Sequence, residues 1–312
     1  MDQFSKLTYE QSAPTIAYLQ RVSQIFGKYS LEQPYYFAYS KGSLTTTPHG
    51  FISDQYYGNN GLFWFELDLY KSELRLHSVA GSGRVSLQDN DTIQDFYKRF
   101  LAEAVKIGIN PPVSDHQTEI KDPKQFTEDS AGQQYDPEVA RQVTQICGIG
   151  SAGLKAWQSN YIGFASMVGM MWGSFDLVTA RYNGKPTKPM PDKPYFHQNS
   201  ELSQDVTIGL WFGSPEVEPC FYSYINPQPQ QTASYDFSQF GASWMPKLGF
   251  VVMPIKEVVN SSDPIQKIID FGDLNYQLAL DYIEWPKDLT IERTNGLEAA
   301  ERLISLPNLW QE

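Results

Sequence analysis

The chain has 312 residues, 41% hydrophobic, 19% charged and 14% aromatic, which suits a globular protein of roughly two domains with a substantial core. Its 36 acidic and 24 basic side chains leave a net charge of −12, which opposes whole-surface binding to nucleic acid or to an anionic membrane. No stretch approaches the ~20 apolar residues of a membrane span, the start Met-Asp-Gln-Phe-Ser-Lys has no signal-peptide pattern, and Cys147 and Cys220 make neither a disulfide framework nor a metal site. A soluble, cytoplasmic protein without cofactor or metal is expected.

Helical periodicity begins at Pro14, read as the first helical residue, with Ile16, Leu19, Val22 and Phe26 on one face and an end near Gly27–Ser30. Aromatic-rich extended segments follow at Tyr35–Thr47 and Leu62–Tyr70. Leu74–Val79 and Arg84–Leu87 then flank Ala80-Gly81-Ser82-Gly83 as a hairpin. Asp91 or Thr92 caps a second helix, whose stripe runs through Ile93, Phe96, Tyr97, Phe100, Leu101, Ala104 and Val105 before Gly108 closes it. Residues 109–135 lose the periodicity, with prolines among acidic side chains, and mark a linker or a surface-hugging loop.

The pattern restarts at Tyr135-Asp136-Pro137-Glu138. Asp136 accepts from open amides, Pro137 has no amide to leave unsatisfied, and Glu138 suits the helix dipole. This helix runs towards Trp157. Strands are expected at Val168–Tyr182, Val206–Phe212, Cys220–Ile225 and Leu248–Met253. Asp263-Pro264 opens a further helix stopped by Pro286, and a short helix is expected at Leu297–Leu306.

The order helix, strands, helix thus occurs twice. Tyr39, Ser43, Leu44 and Thr46 register with Trp172, Asp176, Leu177 and Thr179 at an offset of 133; chance matching among strand formers is the competing explanation. Strands that follow one another without intervening helices pair antiparallel, so the expected fold is α+β. Two similar helix–antiparallel strands–helix halves, 1–108 and 136–286, are joined by 109–135, packed as one compact unit and followed by a helical appendage at 287–312.

Glu66 and Asp68 lie two apart on a strand and share a face with Trp64 and Tyr70, while Phe63, Phe65, Leu67 and Leu69 take the core face. Paired carboxylates can share a proton and raise one pKa for general-acid work; the alternative is the wet face of an antiparallel strand. Read as strand, Trp172, Ser174 and Asp176 alternate onto one face, an indole above a hydroxyl and a carboxylate, which fits a polar ligand or a pin for the sheet. Arg181 falls on the opposite face. With Lys185, Lys188 and Lys193 it forms the one basic cluster, a device for steering an anionic ligand or a solvated loop. Tyr222 and Tyr224, with Phe221, Trp211 and Tyr35–Tyr36, line a pocket or fill a core. Gly148-Ile149-Gly150-Ser151-Ala152-Gly153 matches the dinucleotide fingerprint in form, but helix rather than strand precedes it, so close packing is the better reading. His49, His77, His116 and His197 each stand alone, and the two thiols are expected to be buried and inert.

Trp172-Gly173-Ser174-Phe175-Asp176-Leu177 resembles the hallmark of an uncharacterised family of bacterial proteins of about 300 residues, a domain of unknown function. Gln24-Ile25-Phe26-Gly27-Lys28, Leu44-Thr45-Thr46, Phe65-Glu66-Leu67-Asp68, Tyr135-Asp136-Pro137-Glu138, Tyr161-Ile162-Gly163 and Phe221-Tyr222-Ser223-Tyr224 extend the likeness in order. The family implies no established activity. Its members often carry histidines at positions that correspond here to Gln20, Phe37, Gly169 and Gln204, so any histidine-based site of the family would be missing from this chain.

These readings point to a small-molecule-binding protein with a pocket between sheet and helices, lined by Trp64, Glu66, Asp68, Trp172, Ser174 and Asp176. The alternative is a hydrolase- or lyase-type enzyme with Glu66, Asp68 or Asp176 as acid and base, and Arg181 or Tyr222 stabilising charge.

Overall fold

The structure, a computed structural model, describes residues 4–33, 42–188 and 202–293. The expected helix at Leu297–Leu306, with Tyr35–Tyr36, Phe37, Tyr39, Lys193 and His197, lies outside the described residues.

Helix α1 spans Tyr9–Gly27, with the Thr8 hydroxyl as its cap. It starts five residues before Pro14, because the missing proline amide costs one hydrogen bond, to the carbonyl of Glu10 in the exposed first turn, where water can replace it. Strands β1 (Ser43–Thr47), β2 (Gly50–Ile52), β3 (Tyr56–Gly58), β4 (Gly61–Asp68), β5 (Glu73–Ser78) and β6 (Gly81–Ser86) follow, then α2 (Ile93–Lys106), capped by Thr92. The β5–β6 turn is tighter than expected: Ser78 pairs with Gly81, which takes a φ of 149° that glycine tolerates.

Helix α3 (Pro137–Gln158) begins at the Asp136 cap, whose carboxylate accepts from the Glu138 amide at 2.8 Å. Then come β7 (Gly169–Met171), β8 (Leu177–Pro186), β9 (Ser203–Trp211), β10 (Cys220–Asn226), β11 (Ser243–Met245) and β12 (Phe250–Pro254). A short helix α4 (Ile255–Val259) precedes α5 (Pro264–Tyr282), which Asp263 caps. The strand expected over Val168–Tyr182 is two strands. Residues 172–175 turn between them, with Phe175 at a φ of 59°.

Among the described residues all twelve strands join one antiparallel sheet, in the order β11-β12-β10-β9-β8-β7-β1-β2-β4-β5-β6, with β3 beside β4. Helices and a large antiparallel sheet make the fold α+β. The two expected halves meet where β1 pairs with β7, Ser43 opposite Met171 and Leu44 opposite Met170. The first half runs as a meander; in the second, β12 inserts between β10 and the edge strand β11.

Alternation divides the side chains of the sheet. Phe65, Leu67, Leu74, Leu177, Ile208, Leu210 and Phe221 join the helices in the main core. Val178, Ala180, Tyr182, Cys220, Tyr222 and Val252 form a smaller cluster on the other face. Gly153 of α3 and Gly272 of α5 allow close packing: a Cβ on Gly153 would lie 2.6 Å from Ile268 of α5, and one on Gly272 would lie 2.6 Å from Trp157 of α3. The 109–135 segment lies against the first half, with Phe126, Gln117 and Asp129 buried. Both cysteines are buried and free; burial raises both thiols, Cys220 to about 12. Among the described residues no helix is long and apolar enough to cross a membrane.

Candidate functional site

The turn between β7 and β8 gathers the largest share of the expected residues. The Asp176 carboxylate accepts from the Ser174 hydroxyl on one oxygen and from the Tyr222 hydroxyl on the other. Tyr222 stands on β10, two strands away, and reaches Asp176 by lying across Gly209 of β9, where a Cβ would sit 2.6 Å from the ring. Tyr224 and Phe250 stack beside it. Burial raises the Asp176 carboxyl above its ordinary value, while the two hydroxyl donors pull it down. Burial, and next the Asp176 charge, push the Tyr222 phenol well up.

Helix α1 holds the turn from the other side. Gln20 and Gln24 both donate to the carbonyl of Gly173, at 2.8 and 2.9 Å, and Ser23 donates to that of Trp172 at 2.9 Å. Gln24 also donates to the Thr118 carbonyl and accepts from its amide, both at 2.8 Å, so it ties the turn to the 109–135 segment. The Trp172 indole donates to Ser30, with the Lys28 ammonium 5.5 Å from its ring centre. Burial pushes that ammonium below its usual value, against the pull of Glu119 and Asp115. No local pattern marks Gln24 or Lys28 for these roles, although both stand in the Gln24–Lys28 stretch of the family resemblance.

A small pocket of about 150 Å³ opens beside the turn, lined by Ile16, Ala17 and Gln20 of α1, Ser174, Phe175 and Trp211 among others. Ser174 and Gln20 present acceptors to it, beside the Tyr9 hydroxyl and the Trp211 indole. Ser174 spends its proton on Asp176, and Gln20 spends both amide protons on the carbonyls of Gly173 and Glu119.

Because residues 172–175 turn, Trp172 and Asp176 do not share a face. Trp172 packs with the helices, where a Cβ on Gly27 would strike it, whereas Asp176 meets Tyr222 on the opposite face. Trp64, Glu66 and Asp68 do share one strand face, as expected, but it is the face away from the helices, and four strand spacings of about 4.8 Å put them roughly 19 Å from β8. The composite pocket between sheet and helices is therefore not formed.

Glu66 and Asp68 both pair with Arg75, at 3.2 and 2.9 Å, which also holds Glu73 at 2.8 Å. Asp68 further accepts from the amides of Tyr70 and Lys71, fixing the β4–β5 turn. A guanidinium therefore bridges the two carboxylates. Trp64 stacks on His77, with ring centres 4.7 Å apart.

Arg181 is on the helix side and wholly buried, so it steers no ligand. Its guanidinium lies 3.9 Å from the ring centre of Trp157 and faces Tyr161 and Tyr276 at 5.0 and 4.7 Å. Burial lowers it to about 10. Lys185 pairs instead with Glu284. The positions at which the resemblance implies histidines do not all meet. Gln20 holds the turn, Gly169 is level with Val178 of β8, and Gln204 bonds Asn183, five residues or about 17 Å further along that strand. Phe37 lies outside the described residues.

Fold and site together define a helix-backed antiparallel-sheet protein whose central turn is docked on its first helix. The chain belongs to the family of unknown function DUF5996, whose sequence model matches residues 4–291. No curated protein and no solved structure matches it.

Proposed function

We propose that this protein binds a small molecule at the turn between β7 and β8, through a hydrogen-bond-donating, amine-type group of the ligand. The observation that carries the reading is the chemistry of the pocket beside Ser174. Ser174 and Gln20 offer acceptors, Trp211 offers an aromatic face, and the Asp176 carboxylate stands directly behind Ser174. Such a setting attracts an ammonium through charge, hydrogen bonding and the ring quadrupole. The net charge of −12 adds a favourable long-range field. A volume of about 150 Å³ suits one end of a ligand rather than a large cofactor.

The test is an NMR titration with n-butylamine, n-butanol and n-butyrate. Butylamine is expected to shift the Trp211 and Ser174 resonances more strongly than butanol, and butyrate not at all; Ser174→Ala should weaken butylamine binding about tenfold. Equal binding of butyrate, or no shift with butylamine, discards the reading. Acid–base catalysis by Glu66 and Asp68 has less support, because Arg75 and the turn amides already engage their oxygens.

We further propose that the two halves derive from one duplicated α+β unit in a cytoplasmic protein. Support for the duplication comes from the twofold order of helix, antiparallel strands and helix, and from Ser43, Leu44 and Thr46 standing 133 residues before Asp176, Leu177 and Thr179. An experimental structure of the full chain is the check: residues 9–106 and 137–282 are expected to superpose element for element, and unrelated topologies reject the idea.

A further inference from the structure

We propose that the cleft at the β3–β4 turn is a second ligand site, built for a neutral polyhydroxylated ring such as a sugar. The cleft holds about 380 Å³, within the ~300–1,000 Å³ range of small-molecule sites. Its floor is apolar, from the buried Tyr29, Phe63, Ile107 and Ile109. Its rim is a ring of carboxamides, Gln33, Asn59, Asn60 and Asn110, with the ring of Tyr57 beside them, 74% exposed.

The walls are tied together by bonds that occupy one amide proton of Asn60 and the carbonyl oxygen of Gln33 and leave the other rim groups available. Tyr29 donates to the carbonyl of Asn110 at 2.5 Å, Ser78 to that of Ile107 at 2.7 Å, and Asn60 to that of Gly108 at 2.7 Å. These bonds fix the chain after α1, the end of β5, the β3–β4 turn and the exit of α2 around one space. The Gln33 carbonyl oxygen accepts from the Tyr57 amide at 3.4 Å, so its amide protons stay with the rim.

Charge narrows the ligand class. Among the described residues lining the cleft there is no lysine, arginine or histidine, and Glu32 is the one carboxylate. A phosphate or carboxylate finds no counter-charge and meets a molecule of net charge −12. A lone surface carboxylate attracts a cation weakly. Carboxamides carry donor and acceptor side by side, which matches neighbouring hydroxyls, and an exposed tyrosine face covers the apolar side of a sugar ring.

The experiment is saturation-transfer NMR on the full chain with glucose, galactose, mannose, ribose and N-acetylglucosamine, and with glucose 6-phosphate as the charged control. At least one neutral sugar is expected to bind with a Kd of about 1–10 mM. Asn59→Ala and Tyr57→Ala, both at exposed positions, should weaken that binding about fivefold or more. Ser174→Ala should leave it unchanged, which separates this site from the turn pocket. The proposal is overturned if no neutral sugar transfers saturation up to about 50 mM, if neither cleft variant weakens binding, or if glucose 6-phosphate binds more tightly than glucose.

Discussion

Gln24 reaches three backbone groups from one buried side chain, bonding Thr118 twice and Gly173 once. Leucine there would fill similar space and leave the Thr118 amide and carbonyl unmatched, whereas Gly173 keeps its bond from Gln20. Gln24→Leu is therefore expected to lose about 1–3 kcal/mol in urea unfolding. Asp176 differs because its charge is the burden. Its carboxyl is raised in the folded protein, so the native state holds that proton more tightly than the unfolded chain, whose value is near ~3.9. This contribution to stability falls as pH rises from the unfolded value through the folded one, and its cost is in full force above the folded value. Asp176→Asn should remove that slope, seen as a flatter dependence of urea midpoint on pH across the acid range. An unchanged slope would place the titration elsewhere.

At the scale of elements, close approach outweighs local propensity in α3. Alanine is about 1 kcal/mol better than glycine in a helix interior, yet a Cβ on Gly153 would stand 2.6–2.8 Å from Ile268. Overpacking of that kind costs about 1–3 kcal/mol, so Gly153→Ala should lower the melting temperature, while Gly148→Ala, with nothing within 4 Å of its Cβ, should raise it. The caps at Thr92, Asp136 and Asp263 were legible because each is a short side chain before an apolar stripe. Pro14 misled because a proline one turn into a helix resembles a proline at its start. The turn after β7 was hidden because Trp172 and Phe175 are bulky and apolar, as strand residues are, and nothing local announces the positive φ of Phe175. Glu66 and Asp68 sharing a face followed from alternation; Arg75 between them depends on strand register, and Tyr222 meeting Asp176 depends on the glycine at 209 on the strand between.

Across the whole molecule, the pairing of β1 with β7 covers two residue pairs, too short a ladder to hold the halves by itself. Helix α1, in the first of the expected halves, also holds the central turn of the second through Gln20, Ser23 and Gln24, Thr46 of β1 bonds Ser151 of α3, and one hydrophobic core runs through both. Loss of either half exposes the partner's core, so unfolding should be a single transition. Calorimetric and van't Hoff enthalpies should agree, with far- and near-ultraviolet signals coincident. Two separated transitions would show that the halves are energetically independent. No spacing rule links Gly173 to Gln24 across the sequence, which is why this joint was not legible.

The buried state of Cys147 and Cys220 has a practical use. Both thiols are shielded and hard to ionise in the native protein, and the thiolate is the reactive form. The chain has no other cysteine, so a thiol reagent added to folded protein meets an unreactive surface. Its slow incorporation then counts openings of the structure, one molecule at a time. The same silence lets a single cysteine introduced at the cleft or the turn carry a probe without competing background.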